Sequence, residues 1–173
     1  MYRLFFLILS LALVGNAYGK ADARISGYVV SIADGDTLTL LTSDKERVKV
    51  RLAEIDTPEK KQPYGQRAKQ ELASLAFNKD AQISVLDTDR YGRVVGRVVV
   101  NEVDVNAELI RRGAAWVYRD YLKRPELITL ETEARRLRKG LWALPESERM
   151  PPWQWRKAQR DSRAAARLKE EGS

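Results

Sequence analysis

The chain contains no cysteine and no histidine among its 173 residues. Without cysteine it can form no disulfide, no zinc–thiolate site and no thiol nucleophile. Without histidine it lacks the usual general base near neutral pH and the commonest ligand of transition metals. Any catalysis must therefore use carboxylates, Arg or Lys, Tyr, hydroxyl groups and a hard cation.

Long hydrophobic runs are also scarce. An eleven-residue apolar run covers residues 4–14, which is shorter than the about 20 residues that a membrane-spanning helix needs. Arg3 precedes this run and small residues follow it, which is typical of a secretory signal peptide. We therefore predict a signal peptide over residues 1–19, export to the periplasm or the medium, and no membrane anchor after cleavage. An uncleaved amphipathic anchor is the alternative.

Charge is abundant, with one sign in excess. The chain has 31 Lys and Arg against 24 Asp and Glu, which gives a formal charge of +7. Charged residues make up 32% of the chain, more than the about 25% of typical domains. Removal of the predicted signal takes away Arg3 alone and leaves about +6. This sign favours a polyanionic partner such as nucleic acid, although simple solubility would also explain it.

Five segments carry the signals of β-strands. They are rich in β-branched residues and bounded by Gly, Asp or Asn, and they cover residues 25–32, 37–41, 48–55, 81–86 and 94–100. Short sequential connections favour an antiparallel meander, and the number of strands suits a small closed barrel.

Three segments have apolar residues at helical spacing: 66–77, 104–112 and 125–139. Gly113 and Gly140 follow the last two, as expected at helix ends. We therefore predict an α+β fold, mainly β, with a five-stranded OB-type β-barrel and about three packed helices. One domain would span residues 20–145. A basic tail over 146–173, with Trp153 and Trp155, lacks an apolar stripe and is predicted to be mobile or marginally helical.

Four fragments between these elements carry groups that could perform chemistry: the DGDT sequence at 34–37, Arg51, the DTPE sequence at 56–59, and the YGR sequence at 91–93. Taken singly, each has a plain interpretation as a turn, a strand end or a surface arginine. Taken together, they supply three aspartates suited to a hard cation, two guanidinium groups and a glutamate. That set is sufficient to hydrolyse a phosphodiester without histidine or cysteine.

The order and spacing of these fragments resembles the staphylococcal-nuclease-like (thermonuclease) family. The resemblance runs from Tyr28 to Trp142 and includes the segments VNAELIRRG at 105–113 and GLW at 140–142. It implies a Ca²⁺-dependent phosphodiesterase acting on DNA, RNA or both, and we expect a monomer. The chain departs from the best-known members in a shorter loop at 60–63 and in its tail.

The resemblance also implies roles for single residues. Asp36, Asp56 and the backbone carbonyl of Thr57 match the Ca²⁺ ligands, and Asp34 would act behind them through water. Arg51 and Arg93 match the two phosphate-binding arginines, and Glu59 matches the general base. Tyr91 and Tyr121 match the tyrosines around the nucleotide more loosely.

Two other functions remain open at this point. A non-catalytic nucleic-acid-binding OB-fold module would keep the barrel and lack cleavage. An exported phosphodiesterase for a small nucleotide would keep the same residues, but its binding to long strands would not depend on salt.

Overall fold

The computed structural model describes residues 23–171, with side chains through residue 168. The predicted signal peptide lies outside the described residues. Within the described part of the chain, no helix is long and apolar enough to cross a membrane.

The centre of the fold is a closed β-barrel. The strands, in chain order, are β1 (Arg24–Ile32), β2 (Thr37–Leu41), β3 (Arg47–Leu52), β4 (Ile55–Asp56), β5 (Asp80–Thr88), β6 (Val94–Val100), β7 (Val103–Asp104) and β8 (Trp116–Val117). The five long strands β1, β2, β3, β5 and β6 form the barrel, while β4 pairs with β8 apart from it. The predicted five-stranded OB-type barrel and the mainly β fold class are confirmed.

The barrel closes through one parallel pair. Strands β1 to β3 form the predicted antiparallel meander, and β5 pairs antiparallel with both β1 and β6. Since β5 runs opposite to β1, β6 must run in the same direction as β3, and these two strands pair in parallel. The closing pair therefore differs from a simple meander.

In the part of the chain that the structure describes, four α-helices surround the barrel: α1 (Gly65–Ala76), α2 (Val105–Arg111), α3 (Glu126–Arg136) and α4 (Pro152–Glu171). The first three lie where the apolar spacing predicts them, and Gly113 and Gly140 have the positive φ angles typical of helix ends. The tail differs from the prediction of a mobile or marginally helical segment, because its residues Pro152–Glu171 form the continuous 20-residue helix α4. Pro at its first position and a sequence rich in Ala, Arg and Lys favour a helix even without an apolar stripe.

The core fills the barrel and its junction with α1 and α2. Alternate side chains of each strand point inward, as a half-buried strand requires. The fully buried residues include Val29, Leu38, Leu40, Val50, Ile83, Val98, Leu72 and Leu109. Each such side chain stabilises the fold by about 1.5–3 kcal/mol.

One buried amide fixes the segment that follows β3. The Asn106 side chain, on α2, accepts a hydrogen bond from the Val98 N–H at 3.0 Å. It also donates to the Ala53 carbonyl at 2.9 Å. Because Ala53 directly follows β3, this side chain holds the chain between β3 and β4 against the barrel.

Two buried glutamates hold β4 and β8 in place. Glu54 accepts hydrogen bonds from the backbone N–H groups of Lys123 and Arg124 at 2.9 and 2.8 Å. Glu131, on α3, accepts from the Val117 N–H at 2.8 Å. Strand β8 thus lies firmly beside β4, with Trp116 paired to Asp56.

Candidate functional site

The turn between β1 and β2 brings the carboxylate of Asp36 close to Thr57, at the start of the loop that follows β4. Asp36 is only 6% exposed, and its Oδ2 accepts a hydrogen bond from the Thr57 N–H at 3.2 Å. Gly35 permits this approach, because a Cβ there would lie 2.7 Å from Thr57 Oγ1 and 2.8 Å from the Ala68 Cβ. Asp34 supports the turn by accepting from the Asp36 N–H at 3.2 Å.

Arg51 joins the two predicted ligand carboxylates. Its Nη1 lies 2.9 Å from Asp36 Oδ2 and its Nη2 lies 3.0 Å from Asp56 Oδ1. Nη1 also donates to the carbonyls of Leu52 and Ile55, at 2.9 and 3.0 Å. The side chain is 14% exposed, so Arg51 is not a solvated surface arginine.

Burial disfavours the ionised form of two carboxylates in this cluster, Asp34 and Asp56. Burial raises the pKa of Asp56, and the hydrogen bond from Arg156 and the charge of Arg51 oppose that rise. Burial, together with the neighbouring Asp36 carboxylate, raises the pKa of Asp34 to about 6. A cation at this position would favour the ionised forms of Asp34 and Asp56.

Glu59 lies at the edge of the cluster and reaches solvent. Its side chain is 41% exposed. The loop that carries it is closed by two hydrogen bonds, from the Glu59 N–H to Gln62 Oε1 at 3.0 Å and from the Gln62 N–H to the Glu59 carbonyl at 2.8 Å. The short loop at 60–63 therefore holds Glu59 in a defined place.

Arg156, on α4, is a residue of the site that sequence reasoning missed. Its Nη2 lies 2.7 Å from Asp56 Oδ2, and its Nη1 lies 2.8 Å from Glu59 Oε1. The Trp-Gln-Trp-Arg segment of the tail was visible in the sequence, but no spacing links it to residues about a hundred positions earlier.

The aromatic residue beside the carboxylates is Tyr118. Tyr118 lies two residues after Trp116, which is the strand partner of Asp56. Burial raises the pKa of Tyr118, and the negative charge of the Asp56 carboxylate raises it further. The predicted Tyr121 is 64% exposed and packs edge-on against Tyr118, with ring centroids 4.8 Å apart. In the sequence, the signal that could have indicated Tyr118 is the group of aromatic residues in and after β8.

The structure does not join Arg93 to this cluster. Arg93 Nε lies 2.7 Å from Asp89 Oδ2, and its guanidinium lies 5.6 Å from the ring centroid of the exposed Tyr91. Among residues 23–168, no hydrogen bond or ion pair connects Arg93 to Asp36, Asp56 or Glu59. Arg93 lies two residues before Val95, which pairs with Arg51.

The donors around Arg51 fit a hard divalent cation. Asp36 and Asp56 are buried, and both contact the guanidinium of Arg51. Their carboxylates offer oxygen ligands, which Ca²⁺ prefers. The described residues contain no group of three or more Asp, Glu, His or Cys side chains that could hold a metal. The backbone carbonyl of Thr57 and water would therefore have to complete the ligand set.

Comparisons with known proteins agree on one family. The profile described as "Staphylococcal nuclease homologue" matches residues 49–144. Protein ParB of Escherichia coli is 43% identical over 154 residues, which cover 83% of this chain and 85% of ParB. Micrococcal nuclease of Shigella flexneri is 38% identical over 164 residues, 88% of this chain and 91% of that protein. An uncharacterized endonuclease of Escherichia coli is 42% identical over 135 residues, 78% and 86% of the two chains.

Proposed function

We propose, because this chain belongs to the staphylococcal nuclease family, that it is an exported, Ca²⁺-dependent nuclease acting on DNA, RNA or both. Similarity to proteins named as a micrococcal nuclease and as an endonuclease supports nuclease activity. The observation that carries the proposal is the contact of one guanidinium, that of Arg51, with both buried aspartates.

The proposed ligands of Ca²⁺ are Asp36, Asp56 and the backbone carbonyl of Thr57. When bound there, Ca²⁺ would supply positive charge beside the phosphodiester and polarise water. Asp34 supports the ligand Asp36 through the Asp36 N–H.

The proposed role of Arg51 is to bind the phosphate. A phosphodiester is anionic, so it repels an attacking hydroxide until its charge is neutralised. A guanidinium can hold two phosphate oxygens at once, and its contribution is largest where negative charge grows in the transition state. Arg93 would assist in the same way from the turn between β5 and β6.

Glu59 is the proposed general base. It is the carboxylate of the cluster with the greatest access to solvent, at 41% exposure against 1% for Asp56. Its loop is held by the Gln62 hydrogen bonds, which limits the positions that its carboxylate can take. A carboxylate so placed can take a proton from an attacking water.

The first test compares cleavage of single-stranded DNA by the mature chain with Ca²⁺ and with a chelator. We expect loss of full-length substrate with Ca²⁺ only. Glu59→Gln should lower kcat by roughly 10²–10⁴-fold while leaving Ca²⁺ and substrate affinities near those of the wild type. Glu133→Gln, at an exposed position of α3, is the control.

Two outcomes would contradict the proposal at different points. A wild-type protein that binds DNA and Ca²⁺ but cleaves nothing would be the non-catalytic OB-fold module. Full activity of Glu59→Gln would leave the nuclease intact and remove Glu59 as its base.

A further inference from the structure

The start of α4 lies on the site described above. We propose that residues 151–156 form an autoinhibitory plug, in which Arg156 takes the place of the cation and Trp153 that of a nucleobase. This inference rests on the proposed nuclease function. Cleavage then requires the plug to leave the site.

Arg156 engages the oxygens that a cation would need. Asp56 Oδ2 accepts from Arg156 Nη2 at 2.7 Å, while Asp56 Oδ1 lies 3.0 Å from Arg51 and 3.2 Å from Arg156 Nη1. Both oxygens of Asp56 are thus occupied by guanidinium donors. A divalent cation could coordinate Asp56 Oδ2 only after Arg156 withdraws.

The same guanidinium engages the proposed base. Arg156 Nη1 donates to Glu59 Oε1 at 2.8 Å. A carboxylate oxygen that accepts this bond is less available to accept a proton from water. One side chain of α4 therefore acts against both cation binding and proton transfer.

Trp153 covers the aromatic surface beside the carboxylates. Its ring is parallel to that of Tyr118, with an interplanar angle of 2° and centroids 5.6 Å apart. Stacking of a base on an aromatic side chain contributes about 1–3 kcal/mol in single-strand binding. As long as Trp153 occupies this face of Tyr118, a base cannot stack there.

The plug is attached at one end only. Pro152 is buried, Trp153 also packs against Trp116 with centroids 5.9 Å apart, and Gln62 donates to the Met150 carbonyl. Residues 160–168 are all exposed. The helix can therefore detach by releasing its first two turns, without opening the barrel.

The exposed part of α4 is basic, with Arg160, Arg163 and Arg167 in the solvent. A nucleic-acid strand would attract these side chains and compete with Asp56 and Glu59 for Arg156. Substrate and cation would then displace the plug together. If the plug occupies the site about nine-tenths of the time, apparent Ca²⁺ affinity is about tenfold weaker than that of the open site.

The test measures Ca²⁺ dissociation constants by calorimetry on the full mature chain, together with initial cleavage rates at sub-saturating Ca²⁺. Arg156→Ala should bind Ca²⁺ about tenfold more tightly than the wild type and cleave faster at low Ca²⁺. Lys157→Ala removes the same charge from the next, exposed position and should change neither quantity. Arg156→Gln, which keeps length and loses charge, replaces the alanine variant if circular dichroism shows that the latter is unfolded.

Three results separate the possibilities. Equal Ca²⁺ affinity in wild type and Arg156 variants, or no Ca²⁺ binding in either, would overturn the plug. Loss of cleavage in the Arg156 variants at saturating Ca²⁺ would also overturn it, because Arg156 would then serve the substrate. Tighter Ca²⁺ binding without cleavage by any protein would retain the plug and reject the nuclease.

Discussion

At the scale of single residues, the two arginines with the same proposed role are held very differently. Arg51 contacts two carboxylates and two backbone carbonyls with its guanidinium. Arg93 has Asp89, four residues earlier, as its ion-pair partner and is 27% exposed. Arg51 therefore contributes to the fold as well as to its proposed chemistry, whereas Arg93 is more accessible to a ligand.

We expect lysine substitution to separate these two contributions. Arg51→Lys loses the planar fork, so it should lower kcat/KM by about 10²-fold and the free energy of unfolding by about 1–3 kcal/mol. Arg93→Lys should lower kcat/KM and leave stability unchanged. Steady-state kinetics and urea unfolding measure both, with the exposed Arg47→Lys as control.

The opposite pattern would reject this distinction. An Arg51→Lys variant with wild-type stability and turnover would show that its four contacts are dispensable. Unchanged turnover in Arg93→Lys would return Arg93 to the class of surface arginines.

The sequence predicts some site residues better than others for a geometric reason. Asp36, Arg51 and Asp56 come from adjacent strands and their connections, so their spacing along the chain reflects their spacing in the barrel. Arg156 meets Asp56 across a hundred residues, and no local pattern records that contact.

At the scale of elements, strand and helix positions follow from local composition where the element is long. Strands β2 and β6 have the predicted bounds because β-branched and other apolar residues fill them between turn residues. The single strand predicted over residues 48–55 is divided in the structure. Strand β3 ends at Leu52, and Ile55 begins the two-residue strand β4, which pairs with β8. The sequence predicts only a mobile or marginally helical segment where α4 lies, because only the first turns of this helix pack against the domain.

Helices α1 and α2 are joined by an ionic cluster. Arg112 lies 2.8 Å from Glu108 Oε1 and 2.9 Å from Glu71 Oε2, which is on α1. Burial alone would raise the pKa of Glu108, but hydrogen bonds from Arg112 and Arg111 outweigh it and hold the pKa below its ordinary value of 4.5. The ionised form of Glu108 is thus favoured by the fold.

This lowered pKa predicts a pH-dependent stability. A carboxyl with a folded pKa below its unfolded value stabilises the protein above the unfolded pKa, and the effect disappears as pH falls through the folded pKa. Glu108→Gln should therefore lower the free energy of unfolding by about 1 kcal/mol at neutral pH. The difference from wild type should shrink below the ordinary glutamate pKa of 4.5.

Urea unfolding at neutral and acid pH checks this, with Glu133→Gln as the exposed control. A Glu108→Gln difference that is constant with pH would mean that its side chain acts by packing and not by charge.

At the scale of the whole molecule, the charge of +7 is the main attraction for a polyanion. The tail from residue 151 carries six Lys and Arg against three Asp and Glu. Four of them, Lys157, Arg160, Arg163 and Arg167, are exposed, so their charge is presented outside the barrel, whereas Arg156 lies in the site.

Removing two of these charges should weaken the salt dependence of binding to long single strands. We expect the double variant Arg160→Gln, Arg163→Gln to reduce the slope of log K against log salt by up to about 1.4, because each phosphate contact contributes about 0.7. Cleavage of a dinucleotide should barely change. The matched control is the double variant Lys45→Gln, Arg47→Gln. It loses the same amount of charge at exposed positions in and just after the turn between β2 and β3.

Fluorescence titration of labelled single strands at several salt concentrations gives the slopes. Equal slopes in the α4 variant and the wild type would mean that the tail charges are merely solvated.

The parallel pairing of β3 with β6 has a consequence for synthesis. It joins positions 50–52 to positions 94–96, and contacts between such distant residues form slowly during folding. Arg51 belongs to this pair, so its strand gains this barrel neighbour only after β6 has been synthesised. A nascent chain that ends before β6 therefore cannot close the barrel beside which the proposed site lies.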